Sequence, residues 1–128
     1  MPGSRGTGVR QQLGAHGEDL AAAELEQQGL VVLARNWRCR SGEIDIVALE
    51  RTPAGRTVVF CEVKCRRGLG YGHPLEAITW AKLRKLRQLA GEWLSVHEVH
   101  PDAVRIDAIG VVLLPGQPPS LTHVRGAG

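Results

Sequence analysis

The apolar positions of this chain alternate between two periods. Ala21, Ala22 and Leu25 fall at helical spacing, with Glu18 one turn earlier on the same stripe, and predict a helix from about Leu13 to Gln28. Gly29 follows where a left-handed residue closes a helix. The pattern then shortens. Leu30 to Ala34 reads as a strand, and two better-marked runs rich in Val and Ile, Glu43 to Leu49 and Thr57 to Lys64, flank a Pro-Ala-Gly turn. After glycines at 68, 70 and 72, Pro74 can open a long helix reaching about Val96. Arg105 to Leu114 predicts a fourth strand, and Leu121 to Val124 a short last one.

This order describes an α/β sandwich, a mixed central sheet flanked by helices, rather than a βαβαβ nucleotide-binding fold. Val58 to Val63 is apolar on both faces apart from its far end, which places that strand centrally. Residues 1–12, rich in Gly, Arg and Gln without periodicity, read as a flexible basic tail, and residues 13–128 as a single domain. The Gly-rich stretch has neither GxGxxG nor GxxxxGK spacing, so a phosphate cradle of the nucleotide-binding kind is poorly supported.

Composition narrows the setting. A chain of 128 residues can bury a core without disulfides. A net charge of +3 and a pI near 9.1 are compatible with nucleic acid without selecting it. No apolar run approaches the roughly 18 residues of a membrane span, and the amino end has no secretory apolar region. Cys39, Cys61 and Cys65 are odd in number and form no CxxC pair, which favours a reducing cytoplasm. A zinc site from Cys61, Cys65 and His73 has unusual spacing, and a small core residue with a strand-end neighbour is the simpler account.

The chemistry concentrates on the central hairpin. If it closes symmetrically about Pro53-Ala54, Leu49 faces Val58, Val47 faces Phe60 and Asp45 faces Glu62, while Lys64 shares the face of Glu62. Alternation puts Asp45 on the face of Val47 and Leu49. Adjacent carboxylates repel unless something positive lies between them, and hard Mg²⁺ or Mn²⁺ suits carboxylate, carbonyl and water oxygens. The Val63 carbonyl is a natural further ligand. Lys64 could then position an attacking water or stabilise charge on phosphorus. A salt-bridge cluster of Asp45, Glu62 and Lys64 accounts for the same residues equally well. Glu18 sits on the inward stripe of the first helix, where a carboxylate is costly without a cation; an exposed first-turn glutamate is the plainer account.

Gly17-Glu18-Asp19 with Ala21-Ala22, Asn36-Trp37-Arg38, Gly42-Glu43-Ile44-Asp45 and Phe60-Cys61-Glu62-Val63-Lys64-Cys65-Arg66 occur in an ordered series. Gly72-His73-Pro74-Leu75-Glu76-Ala77, Lys82 with Leu86, and Arg105-Ile106-Asp107 continue it. Over about residues 13–127 the chain resembles the YraN-like family of endonucleases, a bacterial branch of the PD-(D/E)XK, restriction-endonuclease-like superfamily. The resemblance implies that fold and metal-dependent cleavage of DNA. It implies Asp45 and Glu62 as metal ligands, Lys64 as catalytic lysine and Glu18 as an accessory acid, as in related archaeal Holliday-junction resolvases. Cys65 stands where many relatives have Thr, and the carboxyl end has Gly where they show an aromatic residue.

Arg35, Arg38 and Arg40 lead into the hairpin site and Arg66 and Arg67 lead out of it, as phosphate contacts on either side of a scissile bond would. Lys82 and Lys85 share one side of the long helix and could face the groove, whereas Arg84 and Arg87 read as solvated surface. Of three tryptophans, Trp93 reads as core and Trp37, just before the site, is the better stacking candidate. Asp107, alone on an apolar strand, reads as a hydrogen-bond anchor rather than a metal ligand. The expectation is a Mg²⁺- or Mn²⁺-dependent endonuclease acting on DNA rather than RNA, on branched or single-stranded forms. The alternative is a non-catalytic nucleic-acid-binding module of the same fold. A two-fold dimer would suit a symmetric junction, although no residue pattern shows one.

Overall fold

A computed structural model describes the backbone of residues 5–68, 70 and 72–128, with side chains from residue 12 onward in that span. Two helices pack on opposite faces of a five-stranded mixed sheet. The elements are α1 (Arg5–Gln27), β1 (Val31–Cys39), β2 (Gly42–Thr52), β3 (Gly55–Arg66), a 3₁₀ turn (Pro74–Ala77), α2 (Trp80–Val96), β4 (Ala103–Val112) and β5 (Ser120–Val124). Strand order follows chain order. Only the β3–β4 pair is parallel, joined through the 3₁₀ turn and α2. The apolar strand β3 lies in the middle, as its two-sided burial predicts.

Boundaries differ most from expectation in three places, and by up to three residues at the ends of β2, β3 and β4. Helix α1 begins at Arg5, so helical backbone occupies residues 5–12 of the expected tail, while residues 1–4 lie outside the described residues. Extending a packed helix adds one hydrogen bond per residue without a new nucleus, which leaves no periodicity in the sequence. Strand β1 continues to Cys39, pairing through Cys39 with Gly42. Pro74 opens only a 3₁₀ turn, and α2 starts six residues later, after Thr79 accepts a hydrogen bond from the Lys82 amide. At the other boundary, Gly29 (φ 93°) closes α1 as expected, and the Leu30 amide donates to the Leu25 carbonyl at 3.0 Å.

The two cores follow from strand alternation. On one face Ala21, Ala22 and Leu25 of α1 pack on Ile46, Ala48, Val59, Cys61, Ile109 and Val111. On the other, Leu86, Leu89, Ala90 and Trp93 of α2 pack on Val47, Val58, Phe60 and Ile106. Trp93 meets Phe60 edge-on at 5.7 Å, confirming its core reading. Gly110 admits the 3₁₀ turn to this second face, because a Cβ there would fall within 3.2 Å of His73, Pro74 and Leu75.

A polar ring ties down the carboxyl end. Asp107, fully buried, accepts from Arg105 at 2.8 and 3.0 Å, pairs with His123 at 2.7 Å and accepts from the Gly126 amide at 3.0 Å. Arg105 also donates to Glu50 at 2.6 Å, Glu50 accepts from Arg125, Arg125 donates to Gln28, and Gln28 returns to His123. The ring joins the end of α1 to β2, β4 and β5. Asp107 is thus the anchor its isolation on an apolar strand predicts, and β5 is held without a terminal aromatic residue.

Candidate active site

The β2–β3 hairpin closes through a two-residue loop, with Thr52 opposite Gly55, Leu49 opposite Val58, Val47 opposite Phe60 and Ile46 opposite Cys61. This is the register the symmetric turn predicts. Continuing it brings Asp45 beside Glu62, but there the ladder stops. The Val63 amide donates instead to the Asp45 carboxyl at 2.8 Å, so a side chain takes the place of a strand carbonyl. In a strand the N–H and C=O of one residue leave the same edge, so the Val63 carbonyl faces the same opening between β2 and β3.

One expectation needs correcting. Alternation placed Asp45 on the α2 face with Val47 and Leu49, but Ile44 also packs on that face, so the backbone turns over between Ile44 and Ile46. Strand β1 does the same opposite it: Asn36 has φ 52°, and both Ala34 and Trp37 lie on the α2 side. Asp45 therefore sits at the turnover and reaches along the sheet toward β3, between its two faces.

That position lets acids from both faces approach it. Glu18 comes from the α1 side. Its helix lies close on β3 because residue 17 is glycine: a Cβ there would fall 2.6 Å from Cβ of Cys65. Arg35 pairs with Asp19 at 2.7 Å and ties the same turn of α1 to β1. Glu18 lines a cavity of about 470 Å³ with Gly14, Ala15, Asn36, Arg38 and Glu43. Glu62 opens on the α2 side, lining a cavity of about 310 Å³ with Glu43, Lys82, Lys85 and apolar residues of α2.

Electrostatics couple Glu18 and Glu62 each to Asp45. Burial, then the Asp45 charge, push Glu62 up to about 7, against the lowering effect of Lys82 and Lys64. Burial and Asp45 likewise raise Glu18 to about 7, with Arg35 and Asn36 opposing. Asp45 is raised chiefly by burial, while the Val63 amide and Lys64 favour its charged form. One Glu18 carboxyl oxygen is buried without a hydrogen-bond partner. Lys64 forms no salt bridge among the described residues. Asp45 raises Glu18 on one face and Glu62 on the other, one Glu18 oxygen is orphaned, and the Val63 carbonyl faces the gap beside Asp45; carboxylate and carbonyl oxygens of this kind suit a hard divalent cation. No group of three or more His, Cys, Asp or Glu side chains already stands as a metal cluster among the described residues. The expected set of Asp45, Glu62 and the Val63 carbonyl contains only two such side chains.

The remaining predicted residues divide. Lys82 and Lys85 face the Glu62 cavity, as their shared helix side predicts. Arg38 lines the Glu18 cavity and pairs with Glu43 at 3.1 Å. Arg40 and Arg67 are exposed, the former in the β1–β2 turn and the latter just past β3. Arg66 is half-buried with its Nε unpartnered. Trp37 is half-buried against the α2-side core and meets His97 edge-on at 6.1 Å. Cys61 and Cys65 pack on the α1 face, whereas His73 contacts Gly110 on the other, so the three do not form a zinc site.

Two residues read from the sequence only within matching stretches, with no role at the site, belong to it. Glu43 lines the Glu18 and Glu62 cavities alike, and its charge raises Glu18, Asp45 and Glu62. Asn36 shares the Glu18 cavity. Strict alternation conceals both, because it turns Glu43 away from Glu62 and gives no sign of the left-handed residue opposite Asp45.

Fold and site together define a mixed α/β domain with an acidic, lysine-flanked opening between two parted strands of its central sheet. The chain belongs to the family described as Uncharacterised protein family UPF0102, whose model matches residues 17–111. That span contains Glu18, Asp45, Glu62 and Lys64. The chain is 52% identical over 120 residues to a UPF0102 protein of Mycobacterium ulcerans, covering 94% of this chain and 97% of that protein. It is 53% identical over 125 residues to one of Mycobacterium tuberculosis, covering 95% and 96%. A third, from Rhodococcus opacus, is 50% identical over 115 residues, covering 90% and 94%. No helix among the described residues is long and apolar enough to cross a membrane.

Proposed function

We propose that this protein is a metal-dependent endonuclease of the PD-(D/E)XK, restriction-endonuclease-like type, hydrolysing phosphodiester bonds in DNA. The observation that carries the reading is the approach of Asp45 and Glu62, with Lys64 two residues on, at the point where β2 and β3 part. A leading helix, three antiparallel strands and a further strand parallel to β3 suit that fold.

Asp45, Glu62 and the Val63 carbonyl would hold Mg²⁺ or Mn²⁺, which supplies Lewis-acid polarisation of the phosphoryl oxygen and a more acidic water. Lys64 carries the positive charge that stabilises oxygens gaining negative charge as phosphorus is attacked. Glu18, raised to about 7 by burial and Asp45, is poised to take a proton from the attacking water near neutral pH. Lys82 and Lys85 on one side, and Arg38 on the other, hold the flanking phosphates.

Calorimetric titration of Mn²⁺, followed by incubation with single-stranded, duplex and branched DNA, tests this. Wild type binds metal and cleaves; Glu62→Ala loses both. Lys64→Ala keeps the metal and loses cleavage by about a hundredfold or more. Cleavage unchanged in Asp45→Ala, or no Mn²⁺ uptake by wild type, overturns the reading. Salt-sensitive binding of DNA without turnover under all conditions identifies a binding module instead.

A further inference from the structure

Trp80 is the first residue of α2 and is 78% exposed, the most exposed large apolar side chain among the described residues. It lines a cleft of about 130 Å³ with Leu83, Arg84, Arg87 and Gly128 on one flank of the helix. Its neighbour Ala81 lines the Glu62 cavity on the other flank, together with Lys82 and Lys85. Trp80 and Ala81 are consecutive, about 1.5 Å apart along the helix axis, so the cleft and the acidic cavity open on adjoining flanks of the amino end of α2.

The helix that carries this ring is basic along its first three turns. From Ala77 to Gly91 the chain carries Lys82, Arg84, Lys85 and Arg87 and no carboxylate. Arg87 donates to the Gly128 carbonyl at 2.7 Å and Lys82 to the Ala77 carbonyl at 3.0 Å. Arg84 and Lys85 make no salt bridge among the described residues. An exposed indole beside an unpaired Arg84, next to a cavity where Lys82 and Lys85 stand opposite Glu43 and Glu62, matches what an unpaired base and its phosphates need: a face to stack on and positive charge along the backbone. A duplex offers its bases only edge-on within the grooves, so it has no free face for this ring.

We propose that Trp80 and Arg84 form a stacking subsite for an unpaired base of a single strand that leaves the acidic cavity around the amino end of α2. The inference rests on the nuclease reading for the strand's position, and it specifies the substrate: a nucleic acid unpaired beside the reacting phosphate. Trp37, packed on the core, is not that platform.

The test uses wild-type protein in EDTA, so that nothing is cut, with a labelled oligothymidylate of roughly ten nucleotides and a duplex of equal length. Trp93 is only 4% exposed and Trp37 is half-buried, so quenching of indole emission reports chiefly on Trp80. The single strand is expected to quench emission and bind more tightly than the duplex by anisotropy. Trp80→Ala should weaken single-strand binding roughly five- to hundredfold, and Trp80→Phe should restore most of it. Arg84→Ala should reduce the salt dependence by about one phosphate contact. Single-strand binding of wild-type strength in Trp80→Ala overturns this subsite while leaving the nuclease reading intact. Failure of wild type to bind the single strand likewise overturns the subsite, while the nuclease reading stands or falls by Mn²⁺ uptake and cleavage. Trp80-dependent self-association in sedimentation without DNA would make a second copy the occupant and overturn the proposal.

Discussion

Replacing Asp107 by Asn tests the polar ring most directly. The side chain is fully buried and accepts four hydrogen bonds, two from Arg105 and one each from His123 and the Gly126 amide. Burial would raise its pKa, but His123, Arg105 and the Gly126 amide hold it well down, from 3.8 to about 2. A depression of this size contributes roughly 2–3 kcal/mol at neutral pH. Asn keeps the size but loses the charge, and turns an N–H group toward donors. Breaking one partner of a buried ion pair costs about 3–5 kcal/mol, so about 3 kcal/mol is expected, or roughly 10 °C in Tm for a domain of this size. The folded pKa is lowered, so the stabilisation is present above the unfolded value near 4 and lost as pH falls toward 2. Denaturant unfolding of wild type and Asp107→Asn at pH 7, 4 and 2.5 should show the gap narrowing through that window. The paired change Arg105→Met with Asp107→Leu should recover part of the loss, because it removes the buried charges together. A cost below about 1 kcal/mol at pH 7, or a gap that does not change with pH, would refute the reasoning.

Three further outcomes follow from the site. In metal-free buffer Glu62→Gln should be more stable than wild type at pH 8 by about 1–3 kcal/mol and equal to it near pH 4. The sign follows from a pKa raised to about 7 by burial and Asp45: wild-type stability declines as pH climbs from the unfolded value toward 7. Equal melting temperatures at pH 8 would contradict it. Gly17→Ala, whose new Cβ would crowd Cys65, should cost about 1–3 kcal/mol in thermal unfolding by lifting α1 from β3. Asn36→Gly should unfold near wild type, whereas Asn36→Val should lose about 1–3 kcal/mol, because φ of 52° strains a β-branched residue. Equal stability of these two variants would show that the kink relaxes freely.

The elements and the hairpin register were legible in the chain because they depend on neighbours. A two-residue turn at Pro53-Ala54 and alternating Val and Ile leave one pairing that buries both faces, and it brings Asp45 to Glu62. The isolation of Asp107 likewise announced a buried hydrogen-bond anchor, since an uncompensated carboxylate on an apolar strand is too costly to keep. The ring that closes around it was not legible. Arg105 lies two residues away, but Glu50, Gln28, His123 and Arg125 come from three other parts of the chain and meet only when β5 docks.

The direction of Asp45 was misread for the same reason. Period-two alternation holds while both strands stay regular, and it fails where Asn36 in β1 turns left-handed opposite Asp45 in β2. That turnover moves the carboxylate off the α2 face and into the gap beside Val63. There it meets Glu18 from one face and Glu62 from the other, with Glu43 between their cavities. Local periodicity assigns a residue to an element and a face. Where a face is abandoned, the side chain's direction follows from the fit of two neighbouring strands, which no single stretch of sequence contains.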